Sequence, residues 1–251
     1  MFHVKRSDRS RAVEQLRLQC AEWGIELDVA QLSSLSTFAD LLADYDLANV
    51  IGTRDLSTIL LDHLVDALSC LLVPDFHKET SIIDVGTGAG LPGIPLSIAR
   101  PDLRVALLEA SEKKSCFLHY VQAALGQRNL KIVRARAEEA GNQPQHRGTF
   151  ALATARALAP LPVVLEYCTP FVHVGGAIIA MKGRLSEEEL GGGVGASYQL
   201  GIELREVRKV KHSVELPPKE RRLVIFDKVE DTPAKFPRRL GLAKKRPLGL
   251  N

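Results

Sequence analysis

Apolar residues along this 251-residue chain follow two spacings, and the switch between them falls near residue 80. Before it, Val13, Leu16, Cys20 and Trp23 recur at helical intervals until Gly24 ends the run. Asp28 is placed to cap a second helix whose apolar side holds Leu32, Leu35, Phe38, Leu41 and Leu42. Asp55 caps a third, with Leu56, Ile59, Leu60, Leu64, Leu68 and Leu71 on one face, and Pro74 stops it. Between the second and third lies Asn49-Val50-Ile51-Gly52-Thr53-Arg54-Asp55, a polar loop with apolar residues inside it. Loops of this kind carry function more often than packing.

After residue 80, short apolar runs alternate with helical patterns. Strands are predicted at 81–85, 104–109, 130–134, 150–154, 176–181, 202–211 and 221–228, and helices at 93–100, 112–125, 160–170 and 186–198. Such alternation predicts an α/β fold, a seven-stranded and mostly parallel sheet with helices on both faces. No helix-length spacer separates the last two strands, so a final antiparallel hairpin is expected. The chain then divides into a helical extension (1–78), a core (79–232) and a C-terminal arm (233–251). Gly191, Gly192, Gly193 and Gly195 predict a flexible interruption of the last helix.

Chemistry enters at the end of the first strand. Ile82-Ile83-Asp84-Val85 runs into Gly86-Thr87-Gly88-Ala89-Gly90, a turn with almost no side-chain bulk that lets backbone approach a nucleotide-like ligand. Glu109 ends the next apolar run, where a carboxylate would hold a ribose diol. An adenosine-containing cofactor is therefore expected. Gly88 to Gly93 also satisfies G-x-G-x-x-G, so a nicotinamide dinucleotide stays open. Asp84, just before the loop, favours S-adenosylmethionine, because a carboxylate suits an ammonium better than a pyrophosphate. Gly86, Glu109, Ala137, Glu138 and Arg156 all fall at or just beyond predicted strand ends, where open sheets bind ligands.

Composition removes some classes. Hydrophobic residues make up 45% and charged residues 25%, as in ordinary globular proteins. No apolar run reaches the ~18 residues of a membrane span. Residues 1–6 lack the apolar core of a signal peptide, so a cytoplasmic protein without membrane attachment is expected. Cys20, Cys70, Cys116 and Cys168 are scattered, with no C-x-x-C pair, and read as reduced core thiols. The histidines show no ligand-like spacing, and no metal is expected. Nor does anything suggest an obligate assembly, and a monomer is expected.

The net charge of +3 is unevenly spread, because Lys235, Arg238, Arg239, Lys244, Lys245 and Arg246 follow Pro233 with no acidic residue. The arm reads either as a solvated tail or as a phosphate-contacting segment, and its prolines and glycines argue against a regular helix. Phe236 and Leu240 within it suggest docking.

The chain resembles the bacterial 16S rRNA guanine-N7 methyltransferases, the glucose-inhibited division protein B family. The resemblance rests on residues 49–55, His63-Leu64-Val65-Asp66-Ala67-Leu68, Asp84 through Pro95, and Leu108-Glu109-Ala110-Ser111-Glu112-Lys113-Lys114. Further along it takes in Ala137-Glu138-Glu139, Thr154-Ala155-Arg156-Ala157, Lys182-Gly183 and the basic tail. It implies a Rossmann-like class I methyltransferase fold and S-adenosylmethionine as methyl donor. Guanine 527 of 16S rRNA in the 30S subunit is the implied target. Gly86 and Leu91, with Gly88 and Gly90 of the same turn, would line the cofactor. Glu109, Ala110 and Ser111 would surround its ribose, Ala137 and Glu138 would flank the adenine, and Arg156 would stand where cofactor and base meet.

Guanine N7 carries an exposed lone pair, so methylating it needs positioning and a suitable field rather than a strong base. The sequence accordingly lacks both the Asn/Asp-Pro-Pro-Tyr tetrapeptide of exocyclic-amine methylation and a Pro-Cys nucleophile. Cys116, on a predicted helix, reads as a packing residue. Arg156 is expected to grip a phosphate or guanine O6, or else to hold the cleft by pairing with Glu138 or Asp84. RNA contacts are expected from Asn49, Arg54, Lys113, Lys114, Lys182 and the arm cations Arg238, Arg239, Lys244, Lys245 and Arg246, joined by Lys5, Arg6, Arg9, Arg11 and Arg184. Alternatives are a small-molecule methyltransferase, a non-catalytic ribosome assembly factor, and a nicotinamide oxidoreductase, which would lack an evident hydride-site His or Tyr-x-x-x-Lys.

Overall fold

The computed structural model describes residues 2–77, 80–214 and 219–249, without the side chains of residues 2–7. Lys5, Arg6 and the expected boundary at 78/79 thus lie outside the described residues. Helix α1 (Phe2–Glu22) leads to α2 (Val29–Asp44), whose N-terminus is closed by a reciprocal cap. Asp28 Oδ1 accepts from Gln31 N and Gln31 Oε1 accepts from Asp28 N, both at 2.8 Å. Asp55 caps α3 (Leu56–Thr58), accepting from Thr58 N at 2.7 Å. The helix then runs through a π-helical stretch (Ile59–Leu64), α4 (Val65–Leu68) and a 3-10 turn (Ser69–Leu72), as Pro74 approaches.

The core follows in the predicted order. It comprises β1 (Ser81–Val85), α5 (Gly93–Ala99), β2 (Arg104–Glu109), α6 (Glu112–Leu125), β3 (Leu130–Arg134), α7 (Ala137–Ala140) and β4 (Phe150–Arg156). Then come α8 (Leu161–Cys168), β5 (Val172–Lys182), α9 (Glu187–Leu200), β6 (Ile202–Lys209), β7 (Arg222–Lys228) and the short α10 (Leu242–Lys245). The sheet order is β3-β2-β1-β4-β5-β7-β6. Strands β1 to β5 pair in parallel, and β7 inserts antiparallel between β5 and β6. Connections from β1 run outward to β2 and β3, whereas β4 turns the other way, so the switch point lies between β1 and β4. That is where such sheets open a crevice at their carboxyl ends.

Strand alternation splits the core into two layers. Ile82, Leu107, Ile179 and Ile225 face α1, α2, the Leu56–Leu72 helical run, α5 and α6. Ile83, Leu108, Ile178 and Val224 face α8, α9 and the C-terminal arm.

Three expectations are corrected here. The glycine cluster does not interrupt α9. Gly193 lets Leu161 of α8 come so close that a Cβ there would stand 2.5 Å from its Cδ2, and a Cβ on Gly195 would stand 3.0 Å from Gly249 Cα. The arm is no solvated tail. Phe236 is buried, Arg238 makes a bidentate ion pair with Glu166 of α8, and Arg147 donates to the carbonyls of Thr232 and Phe236 at 2.7 Å. A single helical turn, α10, forms despite the prolines and glycines. Among the cysteines, Cys20, Cys70 and Cys168 are buried, but Cys116 is exposed on the outer face of α6 and packs no core. Among the described residues, no helix is long and apolar enough to cross a membrane.

Candidate functional site

The turn after β1 is held from both sides. Gly86 N and Thr87 N both donate to Leu108 O (2.9 and 3.1 Å), and Gly86, Gly88 and Gly90 take φ of +68°, +59° and +85°. Side chains rarely adopt such angles, so the alternating glycines are a backbone requirement. Asp84 is fully buried beneath them. Its carboxylate accepts from Thr87 Oγ1 (2.5 Å), Gly93 N (2.8 Å) and Thr154 Oγ1 (3.2 Å). Burial pushes its pKa up to about 6, against the pull of those three donors. Asp84 therefore ties the turn to the start of α5 and to β4, and it does not line the cleft, as a contact to a ligand ammonium would require.

A cavity of about 450 Å³ opens at the tips of β1, β2 and β4. Gly86, Glu109, Ala110, Ala137 and Glu138 line it as expected, whereas Leu91, Ser111, Gly88, Gly90 and Arg156 do not border it. Glu109 braces the wall: Oε2 accepts from Gly88 N (2.9 Å) and Oε1 from Ser111 N (2.7 Å). Two of those residues thus act on the cavity through the Glu109 carboxylate. Glu138 accepts from Gly241 N at 3.1 Å and hydrogen-bonds Tyr167, whose hydroxyl is pushed up by burial and by that carboxylate.

The walls include residues the sequence did not single out: Leu158, Tyr167, Leu240 and Gly241. Lys114 and Lys244, expected to touch RNA, line this cavity instead. Leu240, Gly241 and Lys244 belong to the arm, so the C-terminus is a wall of the cleft. Phe236 and Leu240 signalled that the arm docks, but not where, because its seat is built by Glu138, Arg147 and Glu166 from other parts of the chain.

Arg156 ends β4 on the other side of the switch point and lines a second cavity, of about 380 Å³ and bordered mostly by charged residues. Its partners are neither Glu138 nor Asp84. Nη1 donates to His63 O (2.9 Å) and pairs with Asp66 (3.3 Å), and Nη2 lies 2.6 Å from His63 Nδ1. Arg221 joins Asp66 (3.2 Å) to Asp62 (3.0 Å), and Lys219 also pairs with Asp62. Burial pushes the Asp66 carboxyl up while Arg156 and Arg221 pull it back. Burial and the Arg156 charge hold His63 down, to about 4. His63 and Asp66 sit three residues apart on one helical face, a spacing readable from the sequence, although their partner was not.

Ala157 joins the two cavities. It lines both and is the one described non-glycine residue with positive φ, at 50°. Such strain in a non-glycine residue concentrates at functional sites.

The remaining expected RNA contacts are scattered. Asn49 and Arg54 lie in the loop before α3, around a separate hollow. Lys113, Arg239, Lys245, Arg246, Arg11 and Arg184 are exposed. Lys182 pairs with Glu189 (2.6 Å), Arg9 with Asp40 (2.7 Å) and Arg238 with Glu166, which gives those three cations structural partners. Among the described residues, no group of three or more His, Cys, Asp or Glu side chains is gathered to hold a metal.

Comparison with known proteins matches this arrangement to one family. The model of the family described as rRNA small subunit methyltransferase G matches residues 31–217. The "Ribosomal RNA small subunit methyltransferase G" of Rubrobacter xylanophilus is 46% identical over 248 residues, 98% of this chain and 94% of that protein. The protein of the same name from Pelotomaculum thermopropionicum is 38% identical, covering 94% of this chain and 98% of its own. Among solved structures, a 16S rRNA (adenine(1408)-N(1))-methyltransferase variant from Catenulisporales acidiphilia superposes with a TM-score of 0.51 at 17% identity. It covers 62% of this chain and 88% of its own. A SAM-dependent methyltransferase from Aquifex aeolicus gives 0.51 at 15% identity, covering 72% and 99%. The structural likeness establishes the class I methyltransferase fold.

Proposed function

We propose that this chain, which belongs to the rRNA small subunit methyltransferase G family, methylates N7 of a single guanine in 16S rRNA with S-adenosylmethionine as donor. The target expected from the family resemblance is guanine 527. One observation carries the reading: two cavities of different chemistry meet at strained Ala157, at the switch point of the sheet. One holds the carboxylates of Glu109, at the tip of β2, and Glu138, on α7, between apolar walls, and the other is lined by five cations with Asp62 and Asp66.

The residues of the first cavity fit an adenosine-containing methyl donor. Glu109, fixed by two backbone donors, offers remaining lone pairs to a ribose diol, and Leu108, Leu158 and Ala157 supply apolar walls for a purine. Lys114 stands over the glycine turn, its Nζ 3.9 Å from where a Cβ on Gly88 would be, placed to meet an amino-acid carboxylate. The bound donor supplies a methyl group on a sulfonium, already activated. The chain's own part is to hold that group in line with N7, to exclude water with the arm, and to keep excess positive charge away from the reacting base. Asp66 does the last by balancing Arg156.

The test is transfer of labelled methyl from S-adenosylmethionine to 30S subunits and to protein-free 16S rRNA from a strain lacking the enzyme, with nucleosides resolved by mass spectrometry. N7-methylguanosine at one site is expected. Tight cofactor binding without incorporation into either RNA would sink the reading.

A further inference from the structure

The second cavity contains a group whose chemistry the reading above does not use. His63 lies in the π-helical stretch Ile59–Leu64, an irregularity that concentrates at functional sites, and it faces Arg156 across the cavity mouth. An arginine has no acceptor and does not lose its proton, so the 2.6 Å contact makes His63 Nδ1 the acceptor. The single ring proton is thereby placed on Nε2. Among the described residues no protein partner is found for Nε2.

Arg156 is held by His63 O, His63 Nδ1 and Asp66, and Asp66 is held in turn by Arg221. The guanidinium is thus engaged with protein, and its charge is balanced by a neighbouring carboxylate. His63 lines the cavity, and its ring then keeps one neutral donor, Nε2–H, that no described residue engages.

A guanine Hoogsteen edge presents two acceptors, N7 and O6, whereas adenine presents N7 and an N6 amine. Methylation consumes the N7 lone pair, which leaves O6 as the atom by which a protein can recognise guanine on that edge. A cation at O6 would oppose the positive charge that develops on the base. A neutral N–H would not, and it would meet the adenine amine donor to donor.

Resting on the proposed guanine-N7 activity, we propose that His63 Nε2–H is the hydrogen-bond donor that takes O6 of the target guanine in this cavity, with Arg156 and Asp66 as positioning residues that fix its tautomer. His63 thereby contributes both orientation of N7 toward the first cavity and selection of guanine over adenine. Arg184 and Lys219 at the exposed rim are placed for the flanking phosphates.

The test pairs protein and substrate changes. Asn at residue 63 keeps an acceptor near Nδ1 but loses the distal donor, while Gln restores a donor near Nε2. We expect His63→Asn to bind S-adenosylmethionine as the wild type does, which also shows it folded, and to lose about ten-fold or more in kcat/KM on 16S rRNA. His63→Gln should recover part of that loss. Placing 2-aminopurine, which lacks O6, at the target position should cost the wild type a similar factor and His63→Asn little further. Equal costs of O6 removal in both proteins, or full activity of His63→Asn on guanine, would overturn the assignment. If wild-type protein makes no N7-methylguanosine at all, the activity itself falls, a result distinct from either of these.

Discussion

The helical layer before β1 and the arm after β7 lie on opposite faces of one sheet, and each closes a different half of the same cleft. The layer brings His63 and Asp66 to Arg156, while the arm brings Leu240, Gly241 and Lys244 over Glu138. Their means of attachment differ. Helices α1 and α2 share a continuous apolar core with β1, β2 and β5, through Leu16, Leu35, Phe38 and Leu42. The arm buries only Phe236, Ala243 and Leu248 in the opposite core layer, and adds the ion pair with Glu166 and carbonyls gripped by Arg147. Apolar surface tolerates small shifts, whereas the polar anchors specify one position of the arm and fail together if a partner is lost.

The sharpest way to break the comparison is to attack each anchor. Phe38→Ala removes a fully buried ring from the layer and should cost about 3–5 kcal/mol in denaturant unfolding. Because its core is continuous with the sheet, one cooperative transition should shift, and the cofactor affinity of the protein that stays folded should hold. A separate early transition would show that the layer is an independent unit.

Arg238→Ala leaves the carboxylate of Glu166, only 1% exposed, without its charge partner, and should cost about 3 kcal/mol. Unlike Phe38→Ala, it should also weaken S-adenosylmethionine binding in calorimetry, since the wall made by Leu240 and Gly241 loosens. Unchanged affinity would remove the arm from the cofactor site.

Acid should act on the helical layer more than on the arm. His212, edge-on to Trp23 of the helical layer at 5.2 Å between ring centroids, has both ring nitrogens buried without partners. Burial beside Arg221 holds its pKa down to about 4. The folded protein therefore refuses a proton that the unfolded chain accepts at its ordinary value near 6.5. Stability from this source is complete above about 6.5 and declines as pH falls through 6.5 towards 4. The arm contains no histidine. After correction for the slower intrinsic chemistry at low pH, amide exchange in α1 should accelerate from pH 7 to pH 5 more than exchange in the arm, and His212→Leu should flatten the difference. The same acceleration in the variant would assign the acid response elsewhere.

The smallest effect separates two adjacent cations. Lys244 lines the cavity, whereas Lys245 is exposed and does not border it. Lys245→Ala should leave cofactor binding alone and lower the slope of log affinity for RNA against log salt by about 1, if it meets a phosphate. An unchanged slope would leave the arm with the cofactor only.

Much of this was legible in residue order. Caps at Asp28 and Asp55, alternation after residue 80 and the glycine turn are local signals, so the sheet, the hairpin and the position of Glu109 followed from them. Errors arose where a local signal had a distant cause. The glycines of α9 signalled weakness, yet Gly193 and Gly195 are small because Leu161 and Gly249 approach them. For Asp84 the strand-tip position was readable and left both a ligand contact and a loop-shaping role open, while the Thr87, Gly93 and Thr154 donors around it were not readable. For the basic arm, docking was legible from Phe236, while the choice between tail and contact segment stayed open because the Glu166 and Arg147 anchors are not visible in sequence.

Backbone requirements and periodicity are properties of neighbouring residues, and by themselves they determined the α/β order, the final hairpin and the glycine turn after β1. Which carboxylate balances Arg156, which nitrogen of His63 meets it and which segment walls the first cavity depend on residues tens to more than a hundred positions apart. Those pairings exist only once the sheet has brought its two appendages to the same carboxyl edge.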